Sequence, residues 1–82
     1  LEITNLINLK ELYLNNNKIK KITKGICKLV KLEILYLDNN KIEIISKEIW
    51  NLINLKKLSL CNNIIKYIPI SINKLVNLDC LL

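Results

Sequence analysis

The sequence predicts an α/β solenoid, with a curved parallel sheet on its concave side and short helices or 3₁₀ turns on its convex side. Three observations carry that expectation. Leucine recurs with a period of 23 residues at Leu9, Leu32, Leu55 and Leu78. Inside each period a short stretch alternates leucine with other residues, as in Leu12 and Leu14, Leu35 and Leu37, and Leu58 and Leu60. Each stretch is followed by one asparagine in the same register, namely Asn17, Asn40 and Asn63.

The period carries every other apolar position with it. Leu12, Leu35, Leu58 and Leu81 form one column, and Ile19, Ile42 and Ile65 another. Ile22, Ile45 and Ile68 follow, then Ile3, Ile26, Ile49 and Ile72, then Leu6, Leu29, Leu52 and Leu75. One unit reads LxxLxLxxNxIxxIxxxIxxLxx. This motif matches the signature LxxLxLxxN(x)L, and on these residues the whole chain resembles the leucine-rich-repeat family. A leucine-rich-repeat solenoid is the fold that the resemblance implies. The chain divides into a partial repeat 1–8, repeats 9–31, 32–54 and 55–77, and a partial repeat 78–82, all in one segment 1–82. The step Ile68-Pro69 is similar to the Leu-Pro that opens the convex segment in intracellular repeats of this length, such as those of Ras-pathway and cell-polarity scaffolds. The two preceding repeats carry Thr23 and Ser46 where Pro69 stands.

Each element has a physical reason. Side chains alternate across a strand, so the paired leucines point to one side and the residues between them to the other. Strands of successive repeats then stack about 4.8 Å apart as a parallel sheet. Where the chain leaves the sheet, its backbone groups lose their ladder partners. A buried Asn donates and accepts at once, so Asn17, Asn40 and Asn63 are expected to form a structural asparagine ladder. The pairs Ile26–Leu29, Ile49–Leu52 and Ile72–Leu75 are spaced i,i+3, which suits a short helix or 3₁₀ turn. Thr23, Ser46 and Pro69 stand just before these pairs, and all three are residue types that begin helices.

Composition narrows the function. The chain has 82 residues, 51% of them apolar, with a single Gly and a single Pro, which fits one ordered domain and not a turn-rich sandwich. Thirteen lysines against seven acids give a net charge of +6 and a pI near 9.4. No long apolar run is present, and the start at Leu1 shows neither a basic n-region nor an apolar h-region, so neither a span nor a signal peptide is expected. Three cysteines, Cys27, Cys61 and Cys80, lack metal-site spacing, and Asn-x-Ser/Thr sequons are absent. Cys61 and Cys80 fall four residues out of register on adjacent strands, about 13 Å apart and beyond disulfide reach. These features point to a reducing, intracellular and cytoplasmic setting.

The chain holds no histidine, no glycine-rich phosphate loop and no nucleophile with a base beside it, so no catalysis, metal or cofactor is expected. Non-catalytic binding of another protein is the expected function. Residues between the inward leucines line the concave face in three columns. Glu11, Ile34, Lys57 and Cys80 form the first, Tyr13, Tyr36, Ser59 and Leu82 the second, and Asn15, Asp38 and Cys61 the third. The expected partner-binding set is Glu11, Tyr13, Asn15, Ile34, Tyr36, Asp38, Lys57, Ser59 and Cys61. Within it, the adjacent Tyr13 and Tyr36 resemble interface anchors. Trp50 is expected to be partly buried packing with no assigned role.

Two other functions compete. The segment could be the recognition arm of a larger enzyme of ubiquitin-ligase or kinase type. The lysines Lys18, Lys20, Lys21, Lys24, Lys28 and Lys31 could instead form a basic surface for nucleic acid or acidic lipid. Against that stand the absence of arginine and the mixed signs of Glu11, Asp38 and Lys57 on the concave face. Leu1 starts within a convex segment and Leu82 stops within a strand, so a piece of a longer solenoid is expected. End-to-end self-association through the uncapped repeats is the companion expectation.

Overall fold

A computed structural model describes residues 6–69 and the backbone of the strand Leu78–Asp79. Three short strands occupy the alternating stretches: β1 (Glu11–Tyr13), β3 (Ile34–Tyr36) and β5 (Lys57–Ser59). Together with β6 (Leu78–Asp79) they form a four-stranded parallel sheet in the order β1-β3-β5-β6. The register of the first three strands is that of the sequence period. Glu11 pairs with Ile34 and Ile34 with Lys57, while Tyr13 pairs with Tyr36 and Tyr36 with Ser59.

The return segments close on 3₁₀ turns at Ile26–Lys28 and Lys47–Asn51. The second begins on the expected column, at Ser46, whereas the first begins two residues later in the repeat, with Gly25 and not Thr23 at its N-cap. Ser46 caps the second turn by accepting from the Glu48 N–H at 3.3 Å, and its hydroxyl also bonds the Glu48 carboxylate. Thr23 Oγ1 accepts from the Ile26 N–H at 3.4 Å, from a position two residues earlier relative to its turn than Ser46. The core lies between sheet and turns. Leu29, Leu32, Leu35, Leu37, Ile42, Ile49, Leu52, Leu58 and Leu60 are fully buried, each contributing about 1.5–3 kcal/mol. Leu12, Leu14 and Ile19 are only partly buried and pack against that cluster from the β1 side. Parallel strands and 3₁₀ turns at a fixed repeat length make this a solenoid-type fold.

Three features were not anticipated from the sequence. A second, two-stranded parallel sheet joins β2 (Lys21–Ile22) to β4 (Ile44–Ile45), and an isolated bridge from Ile44 to Tyr67 continues it. Its signal was the apolar column Ile22, Ile45 and Ile68, too short to separate from a loop. Next, Asn16, Asn39 and Asn62 adopt left-handed backbone with φ of 60°, 57° and 58°. Asparagine tolerates that region better than other non-glycine residues. The second asparagine of each Asn-Asn pair carried the ladder reading, and the first was overlooked.

The third feature corrects an expectation. Sequence period places Leu81 opposite Leu58, but Leu78 pairs with Leu58 and Asp79 with Ser59. Leucines at Leu75, Leu78 and Leu81 recur every three residues, so a three-residue slip still brings a leucine to the pairing position. Register is weakly specified in such a segment. Cys80 and Leu82, assigned to the concave columns, lie outside the described residues.

Candidate functional site

The strands β1, β3 and β5 each have one face on the leucine core. The other face carries the residues between the leucines, in rows that run across the strands. Glu11, Ile34 and Lys57 form the first row, in register on β1, β3 and β5. Glu11 is exposed, while Ile34 and Lys57 are half-buried. The second row brings Tyr13 and Tyr36 together edge to face, with centroids 5.1 Å apart and planes at 83°. Tyr13 is 53% exposed. Its hydroxyl donates to Glu11 Oε1 at 2.8 Å. That hydrogen bond holds the Tyr13 phenol above its ordinary value, with desolvation and the Glu11 charge adding to the effect. Lys57 Nζ stands over the Tyr36 ring, 5.5 Å from its centroid, within cation–π range.

Beyond the tyrosines the face changes character. Asn15 Oδ1 accepts from the Asp38 N–H at 2.7 Å, and Asp38 Oδ1 accepts from the Cys61 N–H at 2.9 Å. Asp38 Oδ1 also accepts from the Ser59 hydroxyl at 2.7 Å. These side chains satisfy the backbone of the next repeat, and Asn15, Asp38 and Cys61 are each half-buried. Ser59, expected among the partner-binding residues, is only 6% exposed. It sits on β5 between two neighbouring strands, with its hydroxyl committed to Asp38, and it is withdrawn from the candidate set.

The interior asparagines do parallel work. Asn40 Nδ2 donates to the carbonyls of Leu14, Leu37 and Asp38, and its Oδ1 accepts from the Ile19 N–H at 3.1 Å. Asn63 repeats the pattern one unit later, donating to Leu37, Leu60 and Cys61 and accepting from the Ile42 N–H at 3.0 Å. Asn17 is exposed and donates to Leu14 and Asn15 within its own repeat.

The remaining chemistry does not converge. Lys18, Lys20, Lys21, Lys24, Lys28 and Lys31 are all exposed, but they are strung along the return segment between β1 and β3. Lys31 Nζ bonds Asn8 Oδ1 at 3.0 Å. Ion pairs Lys66–Glu43 at 3.1 Å and Lys56–Glu33 at 3.4 Å interleave opposite charge farther along the chain. Cys27 is buried, and burial pushes its thiol up to about 11, with the Glu48 charge adding. A thiol in that state is a poor nucleophile at neutral pH. Trp50, expected to be partly buried, stands 47% exposed on the second 3₁₀ turn. Among the described residues no group of three or more His, Cys, Asp or Glu could hold a metal ion, and no helix is long and apolar enough to cross a membrane.

Comparison with known families agrees with this architecture. A model of leucine-rich repeats in two copies matches residues 7–48, and a single leucine-rich-repeat model matches residues 54–75. No curated protein shows significant similarity to the chain.

Proposed function

The chain belongs to the leucine-rich-repeat family, and from that membership we propose that it is a non-catalytic module that binds another protein through the outer, concave face of its main sheet. One observation carries the reading. Tyr13 and Tyr36 form an accessible aromatic pair between a carboxylate and an ammonium, on a sheet held rigid by buried leucines. Aromatic rings supply large contact area at small conformational cost, and their polar rims give orientation. Neighbouring residues divide into support and contact. Asn15 and Asp38 brace the strand ends, Cys61 receiving the Asp38 bond at its N–H, whereas Glu11, Tyr13, Ile34, Tyr36 and Lys57 form the contact surface.

Size limits what the face can hold. Four strands with three gaps of about 4.8 Å make a strip roughly 15 Å wide. A standard interface buries about 800 Å² per partner, more than this strip offers. A short segment of a partner fits it better than a folded domain. An intracellular setting is part of the proposal, in keeping with the free thiols of Cys27 and Cys61.

The test is selection of displayed random peptides on the immobilised chain, repeated on Tyr13→Ala plus Tyr36→Ala. Circular dichroism must first show that the double variant keeps its fold. Loss of enrichment on the variant is the expected result. Undiminished enrichment would place the binding surface elsewhere.

A further inference from the structure

The second sheet lays three return segments side by side. Backbone hydrogen bonds run from the Lys41 N–H to the Ile19 carbonyl at 3.0 Å, and from the Glu43 N–H to the Lys20 carbonyl at 2.9 Å. The Lys66 N–H continues the series to the Glu43 carbonyl at 2.9 Å. Lys21 pairs with Ile44, and Ile44 bridges to Tyr67. Ile22 and Ile45, the next residues on β2 and β4, are buried, so this row faces solvent. Ile44 is 48% exposed and Tyr67 67%. Three residues before the row stand Lys18, Lys41 and Ile64, and three after it Lys24 and Lys47, all exposed. Lysines dispersed along one segment thus gain those of the next as neighbours.

Charge is shared unevenly as a result. The equivalent segments 18–25, 41–48 and 64–71 hold seven lysines and two acids, a surplus of five within the chain's net +6. All other positions together hold six lysines and five acids. Both acids of the basic side are engaged. Glu43 pairs with Lys66 at 3.1 Å, and the Glu48 carboxylate bonds the Ser46 hydroxyl while the charges of Lys24 and Lys47 act on it. Lys18, Lys21 and Lys41 flank the apolar positions Ile44, Ile64 and Tyr67.

The combination selects its occupant. Specific protein interfaces are enriched in arginine and depleted in lysine, the reverse of this surface. Nucleic acids are gripped by arginine forks and stacked aromatics, whereas lysines, isoleucines and one tyrosine stand here. An anionic bilayer matches both halves. Its diffuse negative potential attracts ammonium groups on flexible stems, and its acyl boundary accepts aliphatic side chains, with tyrosine suited to headgroup level. We propose that this surface docks the chain on a membrane carrying anionic lipids, with Ile44, Ile64 and Tyr67 at the headgroup–acyl boundary and Lys18, Lys21 and Lys41 among the headgroups. The site uses no residue of the tyrosine face, so the two binding activities are separable.

The experiment is co-sedimentation of the full chain with phosphatidylcholine vesicles, with and without phosphatidylserine, at physiological salt. Binding is expected only where phosphatidylserine is present, and it should weaken as salt rises. Each lysine near an anionic surface contributes about fivefold in affinity, so Lys18→Gln plus Lys21→Gln plus Lys41→Gln should weaken binding at least tenfold. Lys10→Gln plus Lys31→Gln plus Lys56→Gln removes the same charge at the entrances to β1, β3 and β5 and should weaken it no more than about threefold. Ile44→Ser plus Tyr67→Ser leaves net charge unchanged and should still cost about tenfold. Circular dichroism checks that each variant keeps its fold, and Tyr13→Ala plus Tyr36→Ala should bind vesicles as the wild type does. No binding to phosphatidylserine vesicles, equal binding to phosphatidylcholine alone, or equal losses from the two lysine triples overturns the proposal. Full binding by Ile44→Ser plus Tyr67→Ser overturns it as well, as does tighter binding to single-stranded RNA.

Discussion

Polar side chains serve opposite ends at two places on the same sheet. At the strand ends Asn15, Asp38, Asn40 and Asn63 turn their oxygens and amides towards backbone groups of their own and neighbouring repeats. Within the strands Tyr13 bonds the Glu11 carboxylate, Lys57 stands over the Tyr36 ring, and Tyr13 is half exposed. The cause is the state of the backbone beneath them. Within β1, β3 and β5 the parallel ladder pairs N–H and C=O groups, so side chains are released for contact. Just past the strands the chain bends through the left-handed asparagines Asn16, Asn39 and Asn62, and the backbone there needs side-chain partners. Contact residues and brace residues are therefore set by distance from the turn, even where both face outwards.

Asn40→Ala offers the sharpest break in that comparison. It strips partners from the Leu14, Leu37 and Asp38 carbonyls and from the Ile19 N–H in a buried setting. A loss of roughly 3 kcal/mol in urea unfolding is expected. If this variant is no less stable than Tyr36→Ala, the division between brace and contact is wrong. Asp38→Ala should cost less, about 1–2 kcal/mol, since it removes the acceptor of Ser59 and Cys61 at a half-buried site. Asp38→Asn keeps an acceptor oxygen and should recover most of that loss. Failure to recover would assign the residue's role to its charge.

Tyr13→Ala tests the other region. Losing the edge-to-face pair should lower stability by only about 0.5–1.5 kcal/mol, yet it should remove peptide binding. A large stability loss with intact binding would reverse the assignment. The smallest effect lies outside the sheet and sets the baseline. The hydrogen bond from Ser46 holds the Glu48 carboxyl below its ordinary value, with a backbone hydrogen bond adding to it. A carboxyl depressed in the folded state stabilises the fold above its unfolded pKa, and the contribution disappears as pH falls through the folded value. Thermal unfolding of Ser46→Ala should show a flatter acid limb than the wild type. An unchanged limb would mean that the cap, not the charge, is what Ser46 contributes.

The inner surface was legible almost residue by residue. Leu35, Leu37, Leu58 and Leu60 were read from alternation alone, and each is fully buried. The outer face was legible only as a list of positions. Tyr13 and Tyr36 meet because the period pairs them across β1 and β3, which spacing shows directly. That Glu11 bonds Tyr13, or that Asp38 closes over Ser59, depends on side-chain rotation about bonds that a one-dimensional pattern leaves free. Ser59 is the instructive miss. Alternation placed it outwards, but its side chain is buried and its hydroxyl is committed to Asp38.

By itself the sequence determined the repeat length, the inward leucine columns, the Ser46 cap of the second 3₁₀ turn and the register of β1, β3 and β5. Periodicity decides these because burial depends on which face a residue occupies, and face follows from spacing. Only tertiary structure decided the slip of β6 to Leu78, the pairing of β2 with β4 and the split of the outer face into brace and contact. Those outcomes turn on competition between near-equal partners. Leu78 and Leu81 compete for one register, and Asp38 chooses between solvent and the next repeat's N–H. Such choices are settled by the atoms that surround each group once the repeats are stacked.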